Sequence, residues 1–511
     1  MEIKLEGHYG YGRLMFSAVP LIGMMVLISL YSIVDGLFVS NLVGTTAFAA
    51  LNLIWPALGL VGALGLMVGT GGAALASKTL GEGDRPRANR YFSMFVEFVL
   101  LLSVLTAVPL FIWMEPLSIA LGAEGAMIGQ CVIYGRICAA GMPAFMMQMA
   151  IQPFFMVAEK PQMGTLVSLV CGLVNIGLDA LFIIVFDWGL AGAAAGSMIA
   201  CAVGGFAPLL WFALRRDDGT GLRFSPARPA RRPILQACSN GLSEFVGNIS
   251  FNVVAMCYNL QLMRFYGEDG VAAYSVILYL GFIFIAIYTG YNLTVTPLVG
   301  FNYGAGNHGE LRSLLRRSLR LMLALGAVLA CTAELLSGPV ARLFVGYDAA
   351  LMALTVHATR IYSPCFLLSG VTLFCSAWFT GLGNGPVSAL ISFARTFVFE
   401  LGCVFLLPVL LGADGIWFSA CVAEVLSLLL ATSLLLRHRP RSPGKAARNQ
   451  IEAAALPEQE KLTPFVNTCF GGWLGDPESG MGGGTGYTRS PVTSLKPGRL
   501  GRKRPKTPVT S

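Results

Sequence analysis

Long apolar runs dominate this sequence and limit what it can fold into. A helix of about 20 apolar residues matches the hydrocarbon thickness of a bilayer, and runs near that length recur along the chain. Only 12% of the residues are charged, whereas soluble domains average roughly 25%. The pattern predicts an all-α, multi-pass membrane protein. Twelve transmembrane helices, called spans 1 to 12 below, are predicted over residues 14–39, 48–77, 92–113, 127–157, 163–186, 190–214, 234–263, 271–301, 315–337, 351–381, 386–411 and 415–436.

Charged residues between the spans predict the orientation of the chain. Basic residues gather in alternate connections, and the other connections carry mainly acidic residues. By the positive-inside rule the basic side is cytoplasmic, which predicts that both termini are cytoplasmic. The basic set is Lys78, Arg85, Arg87, Arg90, Lys160, Arg215, Arg216, Arg223, Arg228, Arg231, Arg232, Arg312, Arg316, Arg317 and Arg320, and the acidic set is Glu115, Glu124, Asp187, Glu268, Asp269, Asp348 and Asp414.

One sequence pattern occurs twice. Positions 80–84 read Leu-Gly-Glu-Gly-Asp after span 2, and positions 303–307 read Tyr-Gly-Ala-Gly-Asn after span 8. The spacing from Gly81 to Gly304, called the repeat offset below, recurs to within two positions in an ordered set of further pairs. Six spans in each half make the two halves parallel repeats, related by an axis along the membrane normal, as in alternating-access transporters. The further pairs are Arg136-Ile137 with Arg360-Ile361, Pro143 with Pro364, Pro161 with Pro386, and Gly192 with Gly415.

The repeat and the composition together predict four regions. Residues 1–214 form an N-terminal six-helix lobe, 215–233 a basic cytoplasmic linker, and 234–436 a C-terminal six-helix lobe. The tail, 437–511, holds 13 Lys/Arg and 5 Asp/Glu and has no apolar period. Such a segment cannot bury enough apolar surface to fold, so a disordered cytoplasmic tail is predicted. Its net charge of +8 equals that of the whole chain, and the membrane body is therefore neutral.

Two acidic residues inside the spans predict a functional site. Asp35 in span 1 and Asp179 in span 5 each interrupt an apolar helix, where an ionised carboxylate costs at least a few kcal/mol. Tyr31 and Asn175 lie one helical turn before Asp35 and Asp179 on the same faces. At about 1.5 Å per residue, the two acids lie at similar depths in the membrane. These four side chains suit Na⁺ binding through oxygens or the sharing of protons. The alternative is that each acid is hydrogen-bonded for packing alone.

Three charged residues lie inside spans of the second half. Arg395 and Glu400 are in span 11 and Glu424 is in span 12. We interpret them as a structural ion pair, Arg395 with Glu400 or Glu424, rather than as substrate ligands.

A candidate substrate cavity is predicted from span 4 and span 7. Flexible methionine and aromatic side chains suit flat cations of varied shape, and the inner part of span 7 carries an acid near the expected cavity mouth. Contact with lipid or with the core is an equally good explanation for any single methionine. The candidates are Gln148, Gln152, Met146, Met149 and Glu244.

Several other classes of function are disfavoured. The twelve cysteines and four histidines show no spacing typical of a metal site or a disulfide framework. Gly69-Thr70-Gly71-Gly72 and Gly381-Leu382-Gly383 lie in or beside apolar helices with no preceding strand, so they are not nucleotide-binding loops. No Walker motif is present. We therefore predict no catalytic residues, no cofactor, no metal centre apart from Na⁺ as one alternative at Asp35, Asn175 and Asp179, and no nucleic-acid partner.

Three motifs resemble the multidrug and toxic compound extrusion (MATE) family, in its bacterial MepA-like and DinF-like branch. They are Ser32-Ile33-Val34-Asp35-Gly36-Leu37-Phe38-Val39 in span 1, Leu80-Gly81-Glu82-Gly83-Asp84 after span 2, and Asn175-Ile176-Gly177-Leu178-Asp179 in span 5. The resemblance covers roughly residues 10–436. It implies that Asp35, Tyr31, Asn175 and Asp179 couple transport to a cation, and that Pro20 is a hinge in span 1.

The same resemblance implies a function and a location. It implies a monomer in the bacterial plasma membrane that exports small organic cations in exchange for H⁺ or Na⁺. The chain departs from the family in its long tail, 437–511. It also departs in span 7, where the acid of the NorM-like branch falls near Phe251, and the acid present, Glu244, lies about two helical turns earlier.

Two other functions fit the sequence less well. A lipid-linked oligosaccharide flippase of a related fold would need Arg or Lys in its cavity for pyrophosphate, and the first lobe offers few. An integral membrane enzyme acting on lipid would need clustered His, Asp or Glu at one interface, and the sequence has no such cluster.

Overall fold

The computed structural model describes residues 4–214, 222–227 and 229–438. Within these ranges the chain is helical with no strand, as the apolar periodicity predicts. The predicted linker is only partly covered, because residues 215–221 and 228 lie outside the described residues. The predicted disordered tail also lies outside them from residue 439 onward.

The first six spans follow the predicted order. Span 4 is built from three short helices, because Gly141 and Pro153 interrupt it. Spans 1 and 5 each end in a π-helical segment, a wider helical turn. The observed helices are Tyr11–Phe38 with Val39–Val43, Thr45–Gly81, Arg85–Ile112, Ala126–Ala140 with Met142–Ile151 and Phe154–Val157, Pro161–Asp179 with Ala180–Val185, and Gly189–Leu214; the short helix Met114–Ala120 precedes span 4.

Spans 7 and 8 lie in the 74-residue range Arg231–Gly304, which consists of two helices separated at Gly267. At about 1.5 Å per residue it would far exceed a bilayer if it were straight. It reverses at Gly267, whose φ of 65° and ψ of −149° favour glycine. The remaining spans are His308–Val345, Ala349–Tyr362 with Pro364–Gly381, Gly385–Phe393 with Ala394–Glu400 and Leu401–Leu411, and Gly415–Arg437.

The repeated glycine-rich motif forms the same turn in both lobes. Asp84 caps the helix of span 3 by accepting from the Arg87 backbone N–H at 3.0 Å. Asn307 caps the helix of span 9 by accepting from the Glu310 backbone N–H at 3.1 Å. The glycine before each cap has a positive φ, 86° and 67°. The repeat offset therefore relates equivalent structures in the two lobes.

The two lobes meet along spans 1 and 2 of the first lobe and spans 7 and 8 of the second, a contact called the interlobe seam below. A Cβ on Gly81 would lie 2.0 Å from the carbonyl oxygen of Phe301, and a Cβ on Gly304 would lie 2.0 Å from that of Lys78. Gly81 and Gly304 are one repeat apart, and so are Lys78 and Phe301. This reciprocal pair is what a two-fold axis between spans 2 and 8 produces.

Further close approaches continue the seam into span 7. A Cβ on Gly241 would lie 1.8 Å from the carbonyl oxygen of Met67, and one on Gly71 would lie 1.9 Å from that of Ala237. These contacts lie in the halves of spans 2, 7 and 8 nearest the repeated glycine turns and the linker. The lobes are therefore closed against each other on that side.

The N-terminal segment before span 1 binds to both lobes beside the seam. The Leu5 backbone N–H donates to Glu159 Oε1 at 2.7 Å, next to span 5 of the first lobe. The Tyr9 backbone N–H donates to Glu310 Oε1 at 2.8 Å, on span 9 of the second lobe. His8 Nδ1 lies 2.7 Å from Glu310 Oε2. The segment thus spans the two lobes on the closed side.

We expect Gly304→Ala to reduce transport sharply, because a methyl group at the seam cannot fit without moving Lys78. Overpacking of this kind costs about 1–3 kcal/mol, which is about five- to 150-fold in the population of the closed arrangement. Efflux should be compared at equal membrane abundance with Gly402→Ala, since a Cβ at Gly402 meets nothing within 4 Å. Equal efflux by both variants would show that the seam does not close tightly during the cycle.

Candidate functional site

Asp35, Asn175 and Asp179 come together inside the first lobe with a residue the sequence did not single out. Ser197 on span 6 donates through Oγ to Asp35 Oδ2 at 3.4 Å. Asn175 Nδ2 donates to Ser197 Oγ at 3.2 Å. The carboxyls of Asp35 and Asp179 face each other at close range. Spans 1, 5 and 6 therefore bring two acids, an amide and a hydroxyl into one group, called the acidic cluster below.

The local helix geometry places both acids at a change of helix type. Asp179 is the last α-helical residue of span 5 before the π-helical segment Ala180–Val185. Asp35 lies one turn before the π-helical segment Val39–Val43, and its carbonyl accepts from the Val39 backbone N–H. Short π-helical segments often mark functional sites in helices. The widened turns sit beside the two acids.

The acidic cluster is buried at Asp179 and Asn175, half-buried at Asp35 and Ser197, and incompletely hydrogen-bonded. Asp179 is 0% exposed and Asn175 is 1% exposed. Among the described residues no hydrogen-bond partner is found for either carboxyl oxygen of Asp179, for Asp35 Oδ1 or for Asn175 Oδ1. Buried polar atoms without partners are costly and uncommon in folded proteins. Four acceptor oxygens without donors form an arrangement suited to a proton or a small cation.

Gly196 on span 6 provides the space for the Asp179 carboxyl. A Cβ at this position would lie 2.7 Å from Asp179 Oδ1. Any larger residue would therefore displace the carboxyl. The small residue and Ser197 next to it together shape one wall of the acidic cluster.

Tyr31 connects the cluster to span 4. Its hydroxyl accepts a hydrogen bond from Gln148 Nε2 at 3.4 Å. Its ring packs at Gly172 of span 5, where a Cβ would lie 3.3 Å from Tyr31 Cδ1. The structure thus places Tyr31 between a candidate substrate residue, Gln148, and the turn of span 1 that carries Asp35.

The other candidate cavity residues are more deeply placed than expected. Met146 is 0% exposed and packs against span 2, where a Cβ on Gly65 would lie 2.4 Å from its carbonyl oxygen. Gln152 is buried, and neither of its amide atoms has a hydrogen-bond partner in the described part of the chain. Met149 and Glu244 are half-buried. In this conformation Met146 therefore belongs to the lobe interior rather than to an open cavity wall.

Pro20, the predicted hinge, lies inside the helix of span 1. A proline within a helix removes one backbone hydrogen bond and favours a kink. Its carbonyl oxygen accepts from Thr165 Oγ1 of span 5 at 2.5 Å. This contact ties the candidate hinge to the span that carries Asn175 and Asp179.

The charged residues of the second lobe divide into a pair and a separate acid. Arg395 donates to Glu424 Oε1 through Nε at 2.8 Å and through its NH2 group at 2.6 Å. Ser369 and Thr372 also donate to Glu424, at 2.8 and 2.7 Å. Glu400 takes no part in this ion pair. Of the two predicted partners of Arg395, the structure selects Glu424.

No metal centre is evident in the described chain. It contains no group of three or more His, Cys, Asp or Glu side chains arranged to hold a metal ion. Ser197 is the main site residue that the sequence did not indicate. Its only signal was a hydroxyl in the Gly/Ala-rich span 6, and serine is common in such helices.

Comparison with known families identifies the fold. The MatE family model matches this chain twice, over residues 20–181 and 245–406. The chain belongs to the MATE family. The two matches have the same length, and each covers most of one lobe. Membership in the family, together with ten helices long and apolar enough to cross a bilayer in the described chain, makes this a multi-pass membrane protein.

Curated relatives of this MATE protein are similar over most of their length. It is 23% identical over 430 residues to the multidrug export protein MepA of Staphylococcus saprophyticus, covering 84% of this chain and 94% of the relative. It is 22% identical to MepA of Staphylococcus haemolyticus over 438 residues, covering 86% and 96%. The sequence-based assignment to a MepA-like MATE protein is confirmed.

Solved structures share the fold at similar identity. The outward-facing structure of a multidrug resistance MATE family transporter of the MOP superfamily matches with a TM-score of 0.79 and 22% identity, covering 84% of this chain and 96% of that one. A MOP superfamily transporter from Pyrococcus furiosus matches with a TM-score of 0.78 and 22% identity, covering 86% and 98%. The predicted two-lobe, twelve-helix architecture is confirmed.

Proposed function

We propose that this MATE protein is a secondary active antiporter that exports small organic cations in exchange for H⁺ or Na⁺. The observation that carries the proposal is the acidic cluster: two carboxyls at close range inside the first lobe, with buried acceptor oxygens that lack donors among the described residues. A bound proton or Na⁺ would lower the free-energy cost of burying these acceptor oxygens without hydrogen-bond donors. The names of the curated relatives, multidrug export proteins, support drugs as the exported class.

The way in which the lobes meet supports alternating access. They touch through the seam near the repeated glycine turns, so opening there and closing on the far side exposes the interior alternately. Binding of a coupling ion at Asp35 and Asp179 changes contacts between spans 1, 5 and 6. Because Pro20 is held by Thr165 of span 5, a shift of span 5 relative to span 1 acts directly on the hinge. In this way occupancy of the cluster favours one arrangement over the other.

A flippase function is not favoured. A lipid-linked pyrophosphate needs free basic side chains in the cavity. The acidic cluster has the opposite charge, and Arg395 in the second lobe is bound to Glu424. The charge pattern supports a cationic substrate.

The deciding experiment is transport by purified protein in liposomes, with ΔpH and ΔNa⁺ imposed separately. A fluorescent cation such as ethidium reports substrate movement, and a pH or Na⁺ indicator reports the counter-ion. Counter-flow of one ion with ethidium would support antiport and identify the coupling ion. Ethidium movement that is independent of both gradients would contradict antiport.

We further propose that the seam side is cytoplasmic, so that this structure is outward-facing. A cysteine replacing Arg90, which is exposed beside the seam turn, should react with a membrane-impermeant maleimide only in inside-out vesicles. A cysteine replacing Glu124, exposed at the opposite ends of the spans, should react only in intact cells. The reversed pattern would overturn the orientation, and the unmodified chain, with its own cysteines, sets the background.

A further inference from the structure

Residues 4–10, called the strap below, form a packed loop on the closed side of the molecule, just before span 1. Leu5 and Tyr9 are 2% and 0% exposed, and both belong to the apolar core. Arg13 of span 1 donates to three backbone carbonyls of the strap at 3.2 to 3.4 Å. The strap is therefore fixed by buried side chains as well as by hydrogen bonds, although it belongs to no helix.

Two side chains of span 9 hold the strap at His8 and Tyr9. Glu310 Oε1 accepts from the Tyr9 backbone N–H at 2.8 Å, and Glu310 Oε2 lies 2.7 Å from His8 Nδ1. Arg317 donates to the Tyr9 carbonyl, and its other NH2 group lies 2.9 Å from His8 Nε2. Hydrogen bonds to ionised groups are about twice as strong as neutral ones. Charge-assisted hydrogen bonds therefore join the entry of the first lobe to the second lobe.

Glu310 does not cap its own helix. It is the third residue of the helix after the cap Asn307, where a glutamate typically bonds back to the N–H of the cap residue. The Asn307 N–H donates instead to the Asn302 carbonyl at 2.9 Å. The equivalent residue of the first lobe, one repeat offset earlier, is Arg87. The acid at this position is therefore particular to the second lobe, and its carboxylate binds the strap.

The linker before span 7 makes a related contact in the opposite direction. The Ser225 N–H donates to Ser93 Oγ of span 3 at 2.9 Å, and the Ala230 N–H donates to Met94 Sδ at 3.4 Å. Met94 and Arg317 are one repeat offset apart. Each segment that leads into the first span of a lobe thus contacts the third span of the other lobe. The linker is joined covalently to both lobes, whereas only non-covalent contacts hold the strap to span 9.

Opening on the seam side requires the strap to leave span 9. Its first-lobe attachment is short, because one residue separates Tyr9 from Tyr11, the first helical residue of span 1. Two residues reach about 7 Å when extended. Leu5 also donates through its backbone N–H to Glu159 of the first lobe at 2.7 Å. If span 9 moves farther than this reach from the start of span 1, the contacts between the strap and span 9 must break.

We propose that the strap is a latch of the transport cycle. Bound to Glu310 and Arg317, it holds the seam side closed, and it leaves span 9 when that side opens. The proposal rests on the alternating access of the proposed antiporter, and it adds a contact that breaks in each cycle. Glu310 is 7% exposed while the strap covers it. Release of the strap lets water reach the carboxylate, so opening leaves no buried charge without a partner.

The test is the rate of alkylation of a seam cysteine in the purified full chain in nanodiscs, with no substrate and no gradient. Ser77→Cys is the reporter, because Ser77 is 0% exposed and its hydroxyl donates to the Pro297 carbonyl across the seam. Mass spectrometry at residue 77 separates the reporter from the chain's own cysteines. Glu310→Ala should raise this rate at least about tenfold, the effect of losing a hydrogen bond to a charged group.

Further variants separate a latch from general loosening of the structure. A chain that lacks residues 2–9 should match Glu310→Ala, and the two changes together should add little, because both remove the same contact. Arg317→Met places the equivalent first-lobe residue in span 9 and should also raise the rate. It leaves the strap itself intact, so it gives an answer even if the shortened chain does not insert. Glu6→Ala is the matched control, since Glu6 is an exposed acid of the strap, and it should leave the rate unchanged.

An unchanged rate in both Glu310→Ala and Arg317→Met would overturn the latch. Increases that multiply when Glu310→Ala is combined with the shortened chain would overturn it as well, because they would show independent effects. Either result leaves the proposed antiport standing, since alkylation uses neither substrate nor gradient. The ethidium assay in liposomes tests antiport separately, and its failure would overturn the function whatever the alkylation rates are.

Discussion

Asp35→Asn is expected to abolish ion-coupled efflux while the protein still folds and inserts. The change keeps the size of the side chain and the hydrogen bond from Ser197, but it removes the charge that a proton or Na⁺ neutralises. Because an ionised acid in a span is costly, its loss should not lower membrane abundance. We expect efflux near the level of cells without the transporter.

The measurement is drug accumulation in cells, together with ion counter-flow in liposomes. Asp187→Asn is the matched control, since Asp187 is an exposed acid just after span 5, the span that carries Asp179. The control should transport normally. Near-normal efflux by Asp35→Asn at equal abundance would rule out a coupling role for this carboxyl.

Asp179→Asn is expected to be as damaging as Asp35→Asn, and the double variant is expected to be little worse. The two carboxyls face each other at close range, and the hydrogen-bond chain from Asn175 through Ser197 ends on Asp35 beside Asp179. Groups that hold one ion or proton together give strongly non-additive losses when removed. The double-mutant cycle should therefore return a coupling energy of about 0.5–3 kcal/mol, the range for residues in contact.

The cycle is best measured on ion binding and on efflux separately. Ion binding to the purified protein, by proton release or by Na⁺-dependent fluorescence, reports the cluster alone. Efflux reports the whole transport cycle. If the single losses multiply in the double variant, Asp35 and Asp179 are two independent sites. Ser197→Ala should then be examined as well, since its hydroxyl is the group that joins span 6 to Asp35.

Asn175→Ala would be a poorer test of whether the acidic cluster acts as one ion-binding site. Its Nδ2 donates to Ser197 and its Oδ1 is free of partners among the described residues. Removing the whole amide both deletes a ligand oxygen and leaves a cavity beside two carboxyls. Asn175→Ser keeps an oxygen at the site, so a difference between the two variants would separate ion ligation from packing.

Some of this architecture follows from local properties of the sequence. Apolar length fixes where helices cross a bilayer, because an unpaired backbone group in hydrocarbon costs several kcal/mol. The predicted spans lie within the observed helices to within a few residues, even where Gly141 or Pro364 breaks them. The repeat offset identified equivalent turns from the sequence alone. Both motifs contain a glycine, which can adopt a positive φ, followed by a residue whose side chain caps the next helix.

The sequence by itself determined the spans, the repeat and the two buried acids of the first lobe, since hydrophobicity and the cost of charge act residue by residue. Only the tertiary structure decided which side chains meet. Ser197 donates a hydrogen bond to Asp35, from which it is 162 residues away in the chain. Arg395 forms its ion pair with Glu424 of span 12, and not with Glu400 of its own span. Such pairings depend on the rotation and packing of separate helices, which no single-helix pattern encodes. The same packing places Glu400 in the wall of a pocket that is lined mainly by aromatic and aliphatic side chains.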